Sequence, residues 1–128
     1  ETEEEYYDRN TIKVVMDLAG NSLYFSREAV PTKHILDFGK FPVFKQVCII
    51  PFKREFLLEY SRLEPTPLEQ AESVDMMRIL EHGMTVRLVE TSVDSHAVDT
   101  PDDLKMVESL MKGDPLLNQY FNLPIGGA

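Results

Sequence analysis

Apolar and polar positions change period several times along this chain, and each change predicts an element. β-Branched residues dominate Thr11 to Asp17, and the turn chemistry of Leu18-Ala19-Gly20-Asn21 separates them from a second run, Ser22 to Ser26. That pattern predicts two strands joined as a hairpin. From Pro31 to Pro42 the periodicity dissolves around Gly39 and the two prolines, the composition of a long functional or mobile loop. Phe44 to Ile50 is a continuous apolar run closed by Pro51, which predicts a strand covered on both faces. Phe56, Leu57, Tyr60 and Leu63 then fall at helical spacing and predict a helix over Arg54 to Leu63.

The next helix has the clearest start. Thr66-Pro67-Leu68-Glu69 sets a threonine at the N-cap, a proline at the first helical position and a glutamate three residues past the cap. Leu68, Ala71, Val74, Met77, Ile79 and Leu80 supply one continuous apolar face, and Gly83 suits the C-terminal cap. A buried strand is expected from Met84 to Glu90. Thr100-Pro101-Asp102-Asp103 repeats the cap-and-proline grammar and opens a helix through Leu104, Val107, Leu110 and Met111. The tail after Gly113 carries turn residues and scattered apolar side chains.

Strands alternating with helices predict an α/β fold, a mixed sheet flanked by helices. With 128 residues and 43% apolar content, the chain can bury the core of one domain or part of one. Its expected layout is an acidic N-terminal segment over 1–10, a folded body over 11–112 and a tail over 113–128. The acids Glu1, Glu3, Glu4, Glu5 and Asp8 crowd the first segment, for which a solvated or frayed end is the simplest expectation.

Charge narrows the function. Twenty-two acidic against 13 basic residues give a net charge of -9, which opposes the phosphate-neutralising contacts that dominate nucleic-acid affinity. No stretch approaches the roughly 20 apolar residues that span a bilayer, so no membrane partner is expected. The acidic start is unlike a signal peptide, and the single cysteine, Cys48, sits in an apolar run where a buried free thiol is expected. A reducing, cytoplasmic setting fits both. The chain opens on Glu1 instead of an initiator methionine, which fits a segment of a longer protein.

Familiar catalytic signatures are missing: GxGxxG, GxxxxGK, HExxH, Cys-x-x-Cys and GxSxG do not occur. His34, His82 and His96 have no companions at zinc-ligand spacing; His34 falls in the loop and His82 at a helix end. Asp99 stands just before a helix start, where two readings are open. It complements the helix dipole, or it points into a cleft and ligates a hard cation such as Mg2+.

Four segments together resemble one family. Lys13-Val14-Val15-Met16-Asp17 with Gly20-Asn21-Ser22-Leu23-Tyr24-Phe25-Ser26-Arg27 is similar to the "KVV.D..G.ALYFSR" segment of CMP-Kdo synthetases. Pro65-Thr66-Pro67-Leu68-Glu69 resembles the family's "P.SPLE", and Arg78-Ile79-Leu80-Glu81-His82-Gly83 its "LR.L..G". Val98-Asp99-Thr100-Pro101-Asp102-Asp103-Leu104 resembles its "GVDTPEDL". The resemblance runs from about Asp8 to Met111 and implies the C-terminal, sugar-binding and dimerising half of a nucleotide-diphospho-sugar transferase-like fold.

The implied parent enzyme couples CTP to an acidic eight-carbon sugar with the help of Mg2+, releasing pyrophosphate and giving the CMP-sugar used for lipopolysaccharide, and works as a homodimer. The resemblance makes Asp99 a metal ligand and Arg27 the partner of the sugar carboxylate, for which a planar guanidinium is well shaped. Without it, Arg27 reads as a surface arginine closing a hairpin. Gln46 and Ile50 stand where the family has a histidine and a tyrosine facing the sugar, and Asp75-Met76 where it has a Glu-Gln pair. Gln46 and Asp75 are thus the candidate sugar contacts, with a solvent-facing acid the plain alternative for Asp75. The family's phosphate loop and its other metal-binding aspartate have no counterpart here, so these residues alone are expected to be inactive. A non-catalytic binding or assembly module, and a nucleotidyltransferase for a different acidic sugar, stay open as alternatives.

Overall fold

A computed structural model of the chain describes residues 2–93, 95–98, 100–117 and 119. The described residues fall into two compact units, divided between Thr91 and Ser92. The larger unit is a mixed α/β body built on a three-stranded sheet of order β2-β1-β3, with β1 Lys13–Met16, β2 Ser22–Ser26 and β3 Phe44–Lys45. Both pairings are antiparallel, with Val14 opposite Phe25 on one side and Phe44 on the other.

The β1–β2 hairpin is present as expected. Its turn is organised by Asp17, whose carboxylate accepts from the backbone N–H groups of Ala19 at 2.9 Å and Asn21 at 2.8 Å. These bonds, Asn21's first among them, hold the Asp17 carboxyl below its ordinary pKa. Gly20 takes φ +82°, and a Cβ there would lie 3.2 Å from the Arg87 guanidinium carbon, so this position favours glycine on both counts.

The expected buried strand from Phe44 to Ile50 is cut short. After β3 only one more ladder bond forms, Gln46 N–H to the Ile12 carbonyl at 2.9 Å. Cys48 then adopts φ 62°, a left-handed turn that breaks the extended run, and Ile49 is 84% exposed. β3 lies at an edge of the described sheet, and Cys48 is exposed instead of buried. The strand expected over 84–90 is reduced to a single bridge, Asn21 to Arg87, flanked by Ser22 N–H to the Val86 carbonyl and Leu88 N–H to the Gly20 carbonyl.

Helix α2, after the short N-terminal helix α1 (Glu3–Tyr7), spans Arg54–Tyr60 and stops short of Leu63. The single long helix expected after Pro67 is two, α3 (Pro67–Glu72) and α4 (Met76–Glu81). Ser73, at φ 53° and ψ 50°, separates them. The reason is burial: Val74, Met76, Met77 and Ile79 are all at most 3% exposed, and an unbroken helix cannot turn 74, 76 and 77 to one side. With Val14 and Phe25 they form the core, and Phe52, Phe56 and Tyr60 pack around it.

The acidic segment from Thr2 onward is not frayed. Thr2 and Glu5 close a capping box on α1, and Tyr6 is buried, its hydroxyl donating to the Pro31 carbonyl at 2.5 Å. Glu5 pairs with Lys45, and Glu3 with Lys33 at 2.7 Å, so residues 2–10 belong to the body of the unit and brace the 31–42 loop.

In the second unit α5 (Pro101–Met111) starts as expected. Thr100 Oγ1 accepts from Asp103 N–H at 3.2 Å, and the Asp103 carboxylate accepts from Thr100 N–H at 2.8 Å. Among the described residues no helix is long and apolar enough to cross a membrane.

Candidate functional site

Two side chains fix the end of β2. Lys13 has no exposed surface, and its ammonium donates to the carbonyls of Asp8 at 2.6 Å, Thr11 at 2.7 Å and Arg27 at 2.6 Å. A buried ammonium carries three donors, and here each reaches a backbone acceptor. The Glu72 carboxylate approaches from the end of α3. One oxygen accepts from Ser26 Oγ at 3.0 Å and Tyr24 Oη at 3.1 Å, and the other from the Arg27 backbone N–H at 2.9 Å. Burial, then the neighbouring Glu72, raises the Tyr24 hydroxyl above its ordinary pKa.

The Arg27 side chain turns back onto the same junction. Its Nε donates to the Glu72 carbonyl at 2.8 Å, Nη2 to the Ser73 carbonyl at 3.2 Å, and Nη1 to the Arg9 carbonyl at 3.0 Å. A guanidinium has five N–H donors. These three bonds leave two for a ligand or water, with no further partner among the described residues.

Beyond Ser73 a groove of about 240 Å³ opens between the α3–α4 junction and the segment after β3. Gln46 and Asp75 both line it, and Cys48, Ile50 and Met76 contribute apolar wall. Gln46 Oε1 is buried and has no hydrogen-bond partner among the described residues. Asp75 precedes α4 and is exposed, and its carbonyl accepts from Tyr60 Oη at 3.3 Å.

Under this wall, Arg78 donates from Nε to Glu69 at 2.7 Å and forms a second, ion-paired contact with it. Arg78, with burial opposing, keeps the Glu69 carboxyl below its ordinary range. The Glu81 carboxylate accepts from the N–H groups of Leu68 at 3.0 Å and Glu69 at 3.2 Å, so the end of α4 caps the start of α3. The two short helices are thereby locked into the angle that shapes the groove.

Of the residues singled out from sequence, Gln46 and Asp75 come together, and the positions of Ile50 and Met76 join them. Arg27 is not among the groove-lining residues; it reaches the groove through the carbonyl of Ser73, which is. Asp99 lies outside the described residues. In its motif, the Asp103 carboxylate is engaged by Thr100, and Asp102 by Lys105 at 2.9 Å. Sequence reasoning gave no role to Lys13 or Glu72. In a strand, position 13 faces away from Ile12 and Val14, so a lysine there reads as solvent-facing and gives no signal of burial.

A family model described as cytidylyltransferase matches residues 1–109. The chain belongs to the cytidylyltransferase family. A curated 3-deoxy-manno-octulosonate cytidylyltransferase of Geobacter metallireducens is 40% identical, over 84% of this chain and 46% of the relative. That of Solibacter usitatus is 43% identical, over 88% and 44%, and the mitochondrial one of Arabidopsis thaliana 38%, over 85% and 38%. A solved structure of CMP:2-keto-3-deoxy-manno-octonic acid synthetase complexed with CTP superposes with a TM-score of 0.80 at 33% identity, covering 88% of this cytidylyltransferase chain and 46% of that one. The chain therefore spans less than half the length of these relatives. The comparisons establish the family and a nucleotidyltransferase-like fold; the C-terminal placement expected from the motifs is not carried by them.

Proposed function

We propose that this chain forms the sugar-side wall of a cytidylyltransferase that transfers CMP from CTP to an acidic sugar, 3-deoxy-manno-octulosonate or a close relative. The observation that carries the reading is the convergence of Gln46 and Asp75 on one groove, in a chain that resembles enzymes of that name. In the reaction the anomeric hydroxyl oxygen attacks the α-phosphorus of CTP, a new O–P bond forms, and the bond to the departing pyrophosphate breaks. The hydroxyl proton is lost as the new bond forms.

The chain's own residues bind and orient. The Asp75 carboxylate accepts from sugar hydroxyls, and the Gln46 amide, whose Oε1 is buried, offers its two N–H donors. The two remaining N–H donors of Arg27 suit a carboxylate. Holding the nucleophile in line is itself a large part of catalysis, worth up to about 7 to 11 kcal/mol. Residues outside this chain would clamp the triphosphate.

Mg2+ fits the donor chemistry of the VDTPDDL motif, since it usually takes one or two protein carboxylates plus substrate phosphates. Asp99 is the acid proposed to hold it, and among the described residues Asp102 and Asp103 are already engaged within the helix start. When bound, the ion would neutralise phosphate charge. Homodimerisation and a cytoplasmic setting belong to the same reading, supported by the resemblance and the composition. The apolar contribution of Ile50 and Met76 favours an acidic sugar with fewer hydroxyls on that face.

A test uses a protein of the relatives' length that includes these residues. Arg27→Lys is expected to raise KM for the acidic sugar about tenfold and leave KM for CTP unchanged, because an ammonium cannot reproduce a bidentate fork. Equal shifts in both constants, or none, would remove Arg27 from the sugar contacts.

A further inference from the structure

Glu72 touches Arg27 in two ways, and Ser73 adds a third contact. The Glu72 carboxylate accepts the Arg27 backbone N–H at 2.9 Å, its carbonyl accepts Arg27 Nε at 2.8 Å, and the next carbonyl along, Ser73, takes Nη2 at 3.2 Å. The left-handed Ser73 follows directly, and the groove begins there with Val74 and Asp75. The second carboxylate oxygen is filled by Ser26 Oγ and Tyr24 Oη, which ties it to the hairpin. The carboxylate thus pins the end of α3 to β2, and the carbonyls of Glu72 and Ser73 placed by that anchor hold the Arg27 guanidinium beside the groove's first wall.

We infer that Glu72 is a positioning residue for sugar binding, acting through Arg27 and the α3–α4 junction without touching substrate. This rests on the cytidylyltransferase reading and assigns a role to a side chain that neither the motifs nor the groove lining single out. An ordinary helix-end glutamate needs no more than solvent. Glu72 instead turns both carboxylate oxygens inward onto Tyr24, Ser26 and Arg27, while its own carbonyl and that of Ser73 take the guanidinium. The physical reason is geometric: an arginine that must present two parallel N–H groups to a carboxylate needs its other donors held, or the fork rotates away.

The substitution Glu72→Gln keeps the shape and replaces one acceptor oxygen by a donor. The amide keeps the Arg27 N–H only by turning its NH2 onto the Ser26 and Tyr24 hydroxyls, which must then accept instead of donate, and with the carboxylate charge gone the anchor weakens and the fork loosens. In a protein of the relatives' length containing this chain, KM for the acidic sugar should rise about fivefold to tenfold, with KM for CTP and the thermal midpoint close to those of the parent. Tyr24→Phe, which removes one of the bonds to Glu72 and leaves Arg27 engaged, should raise the sugar KM less than twofold.

Arg27→Lys is assayed beside them. A sugar KM that rises for Arg27→Lys and not for Glu72→Gln would overturn the positioning role and leave the proposed function standing. Equal rises in both Michaelis constants for Glu72→Gln would overturn it too, since general loosening is not positioning. If the parent forms no CMP-sugar, the functional reading falls and this inference with it. A selective rise in sugar KM for both Arg27→Lys and Glu72→Gln, with the midpoint held, is the supporting result.

Discussion

Lys13→Met is expected to destabilise the fold by about 3 kcal/mol or more. Three backbone carbonyls, of Asp8, Thr11 and Arg27, accept from its ammonium, and each buried acceptor left without a partner costs roughly 1 to 3 kcal/mol. Methionine fills the space of the stem and isolates the loss to the ammonium group. Lys105→Met is the control: its bond to Asp102 lies on α5 with 75% of the lysine side chain exposed, and such pairs are worth about 0 to 1 kcal/mol. The measurement is the urea midpoint of each variant at unchanged slope. A Lys13→Met midpoint no lower than that of Lys105→Met would mean that water replaces the ammonium without penalty.

The largest effect on turnover is expected from Asp99→Asn in a protein of the relatives' length. Losing even an outer partner of a metal site costs about 10- to 100-fold, and a directly bound carboxylate should cost at least that upper figure. The helix start should survive, because the Thr100–Asp103 capping box supports it independently. Asp103→Asn is the complementary change, expected to lower stability by about 1 kcal/mol with little loss of Mg2+-dependent turnover. A titration of Mg2+ against rate reads the difference. An Asp99→Asn enzyme with the parent's Mg2+ dependence would assign that carboxylate to the helix dipole.

Local chemistry was legible in the sequence wherever it acts over a few residues. The Asn21 hairpin, the Thr100 cap and the left-handed Gly83 after α4 follow from turn and capping rules that need no tertiary partner. What was not legible depended on neighbours distant in sequence. The run Phe44 to Ile50 is apolar enough for a buried strand, yet β3 sits at an edge of the described sheet, and Cys48 turns the chain into the groove wall. The helix break at Ser73 is set by Arg27, some 46 residues away, and by the need to bury Val74 and Met76 together. Tyr6 and Glu5 look like solvated residues of an acidic end until Pro31 and Lys45 are brought against them.

The candidate site divides along the same line. Gln46 and Asp75, 29 positions apart by number, were chosen by family pattern, and the fold sets them on one groove. Arg27 was chosen the same way, and its structural surroundings explain more than its motif did. A guanidinium held by three carbonyls is already oriented, which lowers the entropy lost when a carboxylate binds. Lys13 and Glu72 escaped notice because a buried charge is recognisable only from its acceptors.

The most direct measurement compares CMP-sugar formation from CTP, Mg2+ and 3-deoxy-manno-octulosonate by the 128-residue chain alone and by a protein of the relatives' length that contains it, following pyrophosphate release and the new phosphodiester by 31P NMR. The chain's net charge of -9 disfavours a triphosphate at long range, and no glycine-rich phosphate cradle occurs in it. Turnover is therefore expected from the longer protein and none above background from the chain alone. Turnover by the 128 residues, or pyrophosphate release without CMP-sugar by the longer protein, would contradict the assignment of this chain to the sugar side of a cytidylyltransferase.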